Sequence, residues 1–263
     1  MDGEREVFSM QPPQNPYSQP DFGQPQQPFA PGSQQPRGIV SLDAIGEAWK
    51  LMSANMGVWV PAGLIYFAVF AVSAALQRAL QGVGPRGIPV NTPGSSLVSL
   101  ISLFVTAFLV AGLMKMALST VSTGKAELSQ LGSGGNVFLS VVGANIMTII
   151  IVVIGFVLCI VPGMIAAAGL LLTIPLIVSG QGAFAAMGAS WGALSKHLGS
   201  AIVLGIVLGL IILVSLIPLG LGLIISMPLL QLTLAVLHRD LFGAGATRQN
   251  TGYAPPPIAN PNF

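Results

Sequence analysis

The sequence is poor in charged residues, in cysteine and in histidine. Asp, Glu, Lys and Arg make up 7% of its 263 residues, against about 25% in typical soluble domains. So few charges cannot cover a water-soluble fold of this length, which excludes that class. The single cysteine, Cys159, excludes an internal disulfide framework and a cysteine-based metal cluster, and two histidines do not indicate a metal site. We expect neither a metal nor another cofactor.

The patterns of two function classes are missing as well. The ten basic residues are scattered, so the sequence indicates no nucleic-acid partner. It contains no HExxH motif, no phosphate-binding P-loop and no nucleophile beside a general base. We therefore expect that the protein is not an enzyme.

Long apolar runs are what the sequence has in abundance. Hydrophobic residues make up 53% of the chain, and six runs approach the roughly 20 residues that span a membrane as a helix. Because the runs are continuous, helices are favoured over barrel strands. We predict an all-α, polytopic transmembrane bundle, with four spans plus re-entrant segments as the alternative. The runs are Val58–Leu76, Leu97–Leu118, Val137–Cys159, Val161–Val178, Ala201–Ile217 and Leu221–Leu237.

The two ends of the chain have a different composition. Residues 1–37 contain eight Pro and eight Gln. Such a segment has too few apolar groups to offset the entropy cost of ordering the chain. We predict disordered tails at 1–37 and 243–263 around a membrane domain of residues 38–242. With six spans, eight of the ten basic residues fall on the side of the termini. Both termini are therefore predicted to be cytoplasmic.

A repeat links two parts of the membrane domain. An amphipathic segment around Trp49 recurs around Trp191, and six of 21 positions are identical between 44–64 and 186–206. A second, weaker similarity aligns Pro162 with Pro218. We predict three hairpins of one orientation, each preceded by an interfacial segment, of which the middle one is 123–131. Tight turns at 161–163 and 218–220 join the spans of the second and third hairpins outside. The predicted apolar face of the first segment is Leu42, Ile45, Trp49, Met52 and Met56.

Few side chains in this zone can carry chemistry. Trp49 and Trp191 are predicted interfacial anchors, because an amphipathic ring is favoured at headgroup level. Asn145 and Gln231 are polar residues inside spans, for which hydrogen bonding between helices is the favoured role. No ionisable residue is predicted near a membrane midplane, which argues against an ion-coupled pump.

Small residues and a polar cluster complete the candidates. Ala201, Gly205 and Gly209 lie four residues apart and predict a close approach of helices, within one chain rather than between two copies. The oligomeric state stays open. The last span ends in the inner-face polar cluster of His238, Arg239 and Asp240, in which we expect Arg239 to cap the helix dipole and to pair with Asp240.

Several short motifs carry a family resemblance. They are the segment 44–49, the turn 161–163, Ala189-Ser190-Trp191 with Lys196-His197, Pro228, and His238-Arg239-Asp240-Leu241. Over about residues 41–242 the chain resembles uncharacterised bacterial integral membrane proteins related to the membrane domain of membrane-anchored glycerophosphodiester phosphodiesterases. The family pattern has Tyr where this chain has His238. The resemblance implies a six-span protein of the bacterial inner membrane, to which no catalytic residue carries over.

These patterns together predict a non-catalytic membrane module. We expect it to bind membrane lipids, or a membrane or cytoplasmic protein. The alternative is a permease or transporter subunit for a small or lipid-like substrate, in which Asn145 and Gln231 would contact the substrate.

Overall fold

A computed structural model describes residue 38 and residues 40–243, and nearly all of this part of the chain is helical. The all-α fold class is therefore confirmed. The predicted disordered tails, 1–37 and 243–263, lie outside the described residues except for Gly243. The helices are α1 (Asp43–Ala54), α2 (Met56–Leu80), α3 (Pro93–Thr123), α4 (Phe138–Leu158), α5 (Ile160–Gly169), α6 (Thr173–Val178), α7 (Ala183–Leu194), α8 (Leu198–Leu216) and α9 (Leu223–Phe242).

Six stretches of the described chain are long and apolar enough to cross a membrane, and each overlaps one predicted run. The chain is a multi-pass membrane protein, and the number of stretches favours six spans over four. Four of them are the single helices α2, α3, α4 and α9, while α5 with α6 forms the fourth stretch and α7 with α8 the fifth.

Consecutive spans pack as three hairpins, α2 with α3, α4 with α5, and α8 with α9. The last helix, α9, also packs against α1, α2 and α3. It has the lowest mean hydropathy of the six spans, 1.2, and the largest buried share. A span with polar side chains is expected at the centre of the bundle, because those side chains are unfavourable in lipid.

The predicted turn at 161–163 is wrong, because these residues lie in the first turn of α5. The chain reverses instead at Cys159, a single extended residue between α4 and α5. Pro162 fits there because the first N–H groups of a helix have no partner within it. The turn at 218–220 is confirmed, and Leu219 and Gly220 adopt positive φ angles of 54° and 80°.

The fourth span is broken, which the sequence did not predict. Helix α5 ends at Gly169 and α6 begins at Thr173. Pro175, three positions into α6, suits a helix start for the same reason as Pro162. The break frees backbone groups within this span.

Two further connections lie outside the spans. Between α2 and α3, the strands β1 (Gly82–Val83) and β2 (Pro89–Val90) form a short antiparallel ladder. Between α3 and α4, a 3-10 helix covers Leu128–Asn136, whereas the second interfacial segment was expected at 123–131. Lys115 of α3 fixes this segment, since its Nζ donates to the Ser133 carbonyl oxygen at 2.6 Å and to Asn136 Oδ1 at 2.5 Å.

Candidate functional site

The two ends of the described chain meet at one end of the bundle. The Gly38 N–H donates to the carbonyl oxygen of Asp240 at 3.0 Å. Helix α1 packs on α9 close to this point. Helix α1 precedes the first span and α7 precedes α8 in the fifth. Because successive spans alternate in direction, α7 lies on the same side of the bundle as α1. We call the surface formed by α1, α7 and the last turn of α9 the terminal face.

The repeat of 44–64 in 186–206 is confirmed in the packing of α1 and α7. Three pairs of equivalent positions are buried against the bundle, namely Ala44 with Ala186, Ala48 with Ser190, and Met52 with Leu194. The joints that follow also match, because Asn55 has φ −126° and ψ 30° and His197 has φ −131° and ψ 33°. The sequence repeat is therefore a structural repeat, which we call the first repeat (α1 and α2) and the second repeat (α7 and α8).

The predicted apolar face of α1 is not the face that docks on the bundle. Leu42, Trp49 and Met56 are exposed, and only Met52 of the five is buried. Ala44 and Ala48 are buried in their place because small side chains let α1 approach α9 closely. The larger apolar side chains are left on the outer surface of the helix.

The two predicted anchors are exposed to the same degree. Trp49 is 45% exposed and Trp191 is 44% exposed. The third tryptophan, Trp59 of α2, is 1% exposed. The ring of Trp191 packs on Gly169, the last residue of α5, where a Cβ atom would overlap it. Both anchors therefore place one part of the ring against protein and leave the other part outside it.

An ion cluster fixes α1 to the end of α9. The guanidinium of Arg239 donates to both carboxylate oxygens of Glu47, at 2.6 and 2.9 Å, and to Asp240 Oδ1 at 2.7 and 3.0 Å. The Arg239 and Asp240 side chains are buried and that of Glu47 is nearly so. The expected pair of Arg239 with Asp240 is present. The sequence analysis missed Glu47 because it lies far from Arg239 in the sequence. The available signal was general: a buried arginine requires carboxylate partners.

The third member of the predicted polar cluster is not part of these ion pairs. The His238 side chain is fully buried, and its ring stacks on Phe242 with centroids 5.3 Å apart. Neither ring nitrogen has a hydrogen-bond partner within the described part of the chain. His238 therefore packs as an aromatic residue.

Asn145 and Gln231 lie on different helices, α4 and α9. Asn145 is half-buried, and no side-chain hydrogen bond to it occurs among residues 40–243. Gln231 is 3% exposed, and its Oε1 has no partner among the same residues. The expected hydrogen bonds between helices are thus absent from the described chain for both residues.

The stripe of small residues on α8 packs only in part. Ala201 is fully buried. A Cβ atom at Gly205 would have a single neighbour, Leu171 Cδ1 at 3.8 Å, and one at Gly209 would have none within 4 Å. The close helix approach predicted at the stripe is therefore not seen at its two glycines in the described structure.

Ser190 is a buried polar residue that the sequence did not single out. Its hydroxyl donates to the Gly169 carbonyl oxygen at 2.8 Å and accepts from the Leu172 N–H at 3.1 Å. These are buried backbone groups freed by the break between α5 and α6, and such groups need hydrogen-bond partners. The sequence does show a serine at the position where the first repeat has Ala48. This difference alone does not predict which groups the serine binds.

Comparison with known proteins adds no relative. No protein-family model, no curated protein and no solved structure matches the chain. The resemblance to the phosphodiesterase-associated membrane family stays a prediction. Among the described residues, no group of three or more His, Cys, Asp or Glu side chains is placed to hold a metal ion.

Proposed function

We propose that the protein is a non-catalytic membrane module that binds lipid through α1 and α7 at the terminal face. The observation that carries the proposal is the matched, half-exposed position of Trp49 and Trp191 on helices docked by their opposite side. An indole ring with one apolar part and one polar N–H is most favourable at the headgroup level of a bilayer. Two such rings on one face make a lipid-binding surface.

Charge supports the same surface. Lys50 of α1 and Lys196 before α8 are both exposed. A lysine near the membrane surface attracts anionic lipids, which are abundant in the cytoplasmic leaflet. In our proposal the terminal face is cytoplasmic, in a bacterial inner membrane, because Arg78 and Arg86 are the only basic residues on the other side of a six-span chain.

The test uses three variants that each retain one tryptophan, with the other two replaced by Phe. Each is reconstituted in liposomes containing lipids brominated close to the headgroup. We expect strong quenching of Trp49 and of Trp191. Trp59 is the matched control, since it is buried in the bundle, and should be quenched least.

The outcome that removes the proposal is equally direct. If aqueous iodide quenches Trp49 and Trp191 and brominated lipids do not, the two rings face water rather than lipid. A protein that co-purifies at a fixed ratio from native nanodiscs would instead indicate that this face binds a protein partner and not lipid.

The second candidate is a permease, and one observation favours it. Gln231 is buried with an unpartnered Oε1 among the described residues, which is the arrangement of an acceptor that a substrate can satisfy. In this proposal Gln231→Ala and Asn145→Ala reduce uptake of the transported compound. Unchanged uptake in both variants would remove these residues from the proposal.

A further inference from the structure

An apolar groove lies between α4, α5 and α8. It has a volume of about 210 Å³ and passes over the break between α5 and α6. Its lining contains no charged side chain and no side-chain hydrogen-bonding group. We call it the groove, and its lining includes Phe156, Met164, Ala167, Leu171, Gly205 and Ile206.

The two repeats differ at this place. Gly63 of the first repeat corresponds to Gly205 of the second. A Cβ atom at Gly63 would overlap the backbone of Ile224, because α9 packs directly on α2 there. At Gly205 the only atom within 4 Å of such a Cβ is Leu171 Cδ1 at 3.8 Å. The glycine that receives a helix in the first repeat faces open space in the second.

The position of the groove limits what fills it. Gly205 lies seven residues into α8, which at 1.5 Å per residue is about 10 Å from the start of the helix and within the hydrocarbon layer of a bilayer. Phe156 and Ile206 are half-exposed, so the groove is open on the lipid side. Because all its lining side chains are apolar, an occupant at this depth gains by contributing hydrocarbon.

A positive charge precedes α8, one of the helices that line the groove. Lys196 is exposed and lies six residues before Ile202, which also lines the groove. No Asp or Glu occurs between residues 128 and 239, so neither α7 nor α8 supplies a carboxylate to this lysine. An anionic phosphate at the membrane surface complements its charge.

We propose that the groove holds one acyl chain of an anionic phospholipid whose phosphate group lies beside Lys196. This inference rests on the proposed lipid-binding function and names a site for it. The lipid takes the place in the second repeat that α9 takes in the first.

The experiment is photo-crosslinking in phosphatidylcholine nanodiscs that contain a trace of phosphatidylglycerol with a diazirine in one acyl chain. Label is located by mass spectrometry of peptides, and we expect it on α5 and α8 at the groove. In Gly205→Leu this label should fall by about tenfold, equivalent to excluding about two methylene groups from the groove. Gly209→Leu is the matched control, since Gly209 is a glycine of the same helix that does not line the groove, and should keep the label.

Two further variants separate the parts of the proposal. Ala167→Ile narrows the groove from α5 and serves if Gly205→Leu fails to give a helical, monodisperse protein. Lys196→Ala should lower the preference for phosphatidylglycerol over phosphatidylcholine by about fivefold while leaving acyl labelling in place.

Three results would overturn the proposal. The first is label spread evenly over all lipid-facing helices, and the second is equal labelling of Gly205→Leu and the unchanged protein. The third is a native mass of two chains with no lipid label at the groove, which would assign it to a second copy. Quenching of Trp49 and Trp191 by lipid is independent of the groove, so failure here leaves the proposed function standing, and loss of that quenching identifies failure of the function itself.

Discussion

Helices α1 and α7 share three equivalent buried positions and an equivalent exposed tryptophan, yet they are fixed to the bundle by different chemistry. Helix α1 is fixed by Glu47 on Arg239, and the equivalent position on α7 is Ala189. Helix α7 is fixed by Ser190 on the break of the fourth span, and the equivalent position on α1 is Ala48. The pattern of buried positions therefore defines the repeat, while each copy is fixed by the polar groups that its own neighbour presents.

The largest expected effect tests the ion cluster on α1. Arg239→Ala should destabilise the protein by about 3 kcal/mol or more, because it removes the cation that two buried or nearly buried carboxylates share. Glu47→Ala should have a smaller effect, since Arg239 keeps Asp240. Unfolding by SDS in mixed micelles measures both. Lys50→Ala, an exposed charge on the same helix, is the control and should change stability by less than about 0.5 kcal/mol. Equal losses in Arg239→Ala and Lys50→Ala would contradict the account.

The next effect compares the paired glycines. Gly63→Ala should destabilise the protein by about 2–3 kcal/mol, since its Cβ atom overlaps the backbone of Ile224 and α2 must move away from α9. Gly205→Ala should be neutral or stabilising by up to about 1 kcal/mol, because the site is open and alanine is the better helix former. The same SDS titration reads both variants. If both variants lose the same amount of stability, the two repeats do not differ at this position.

A third effect exchanges the buried residues of the two helices. Ser190→Ala should destabilise the protein by about 1–3 kcal/mol, because the Gly169 carbonyl and the Leu172 N–H lose their shared partner. Ala48→Ser gains no such partner, since α9 is continuous where α1 packs on it, so it should not stabilise. Thermal unfolding followed by circular dichroism distinguishes the two. A stabilising Ala48→Ser would contradict this account, because it would show that a serine on α1 also gains a hydrogen-bond partner.

The smallest effect concerns the joints after α1 and α7. The Asn55 amide donates to the carbonyls of Leu51 and Gly124 and accepts from the Ala126 N–H. Asn55→Ala should therefore destabilise by about 1 kcal/mol. His197 has nearly the same backbone angles but no side-chain hydrogen bond within residues 40–243, and His197→Ala should stay within about 0.5 kcal/mol. Thermal unfolding measures the pair, and a larger loss in His197→Ala would reverse the assignment.

The sequence predicted the elements that hydrophobic length and periodicity determine. Six spans, the repeat that relates Trp49 to Trp191 and the matched exposure of these two rings all follow from local pattern. Periodicity did not identify the docking face of α1, because it ranks Trp49 above Ala48, whereas close helix packing favours the smaller residue.

Features that depend on contacts between distant residues could not be predicted in this way. Glu47 and Arg239 are in contact although they lie near opposite ends of the membrane domain in the sequence. Ser190 binds backbone groups at a helix break that no charged residue in the sequence indicates. The turn at Cys159 was misplaced because Pro162 and Gly163 are typical of both a turn and the first turn of a helix.

The weaker similarity, which aligns Pro162 with Pro218, is also out of step with the structure. Helix α4 begins at Phe138 and α8 begins at Leu198. With the two prolines aligned, these helix starts are displaced from one another by about one helical turn. Matching prolines therefore located the second and third hairpins but not the register between them.

The hairpins also bear on how such a chain can grow. A pair of antiparallel spans enters and leaves on the same side of a membrane, so a copy inserted in tandem leaves the sidedness of every other loop unchanged. A single added span would invert everything after it. A gene encoding this architecture can therefore lengthen by duplication in steps of two spans, and each new copy is free to acquire its own polar attachment, as the copies around Trp49 and Trp191 have done.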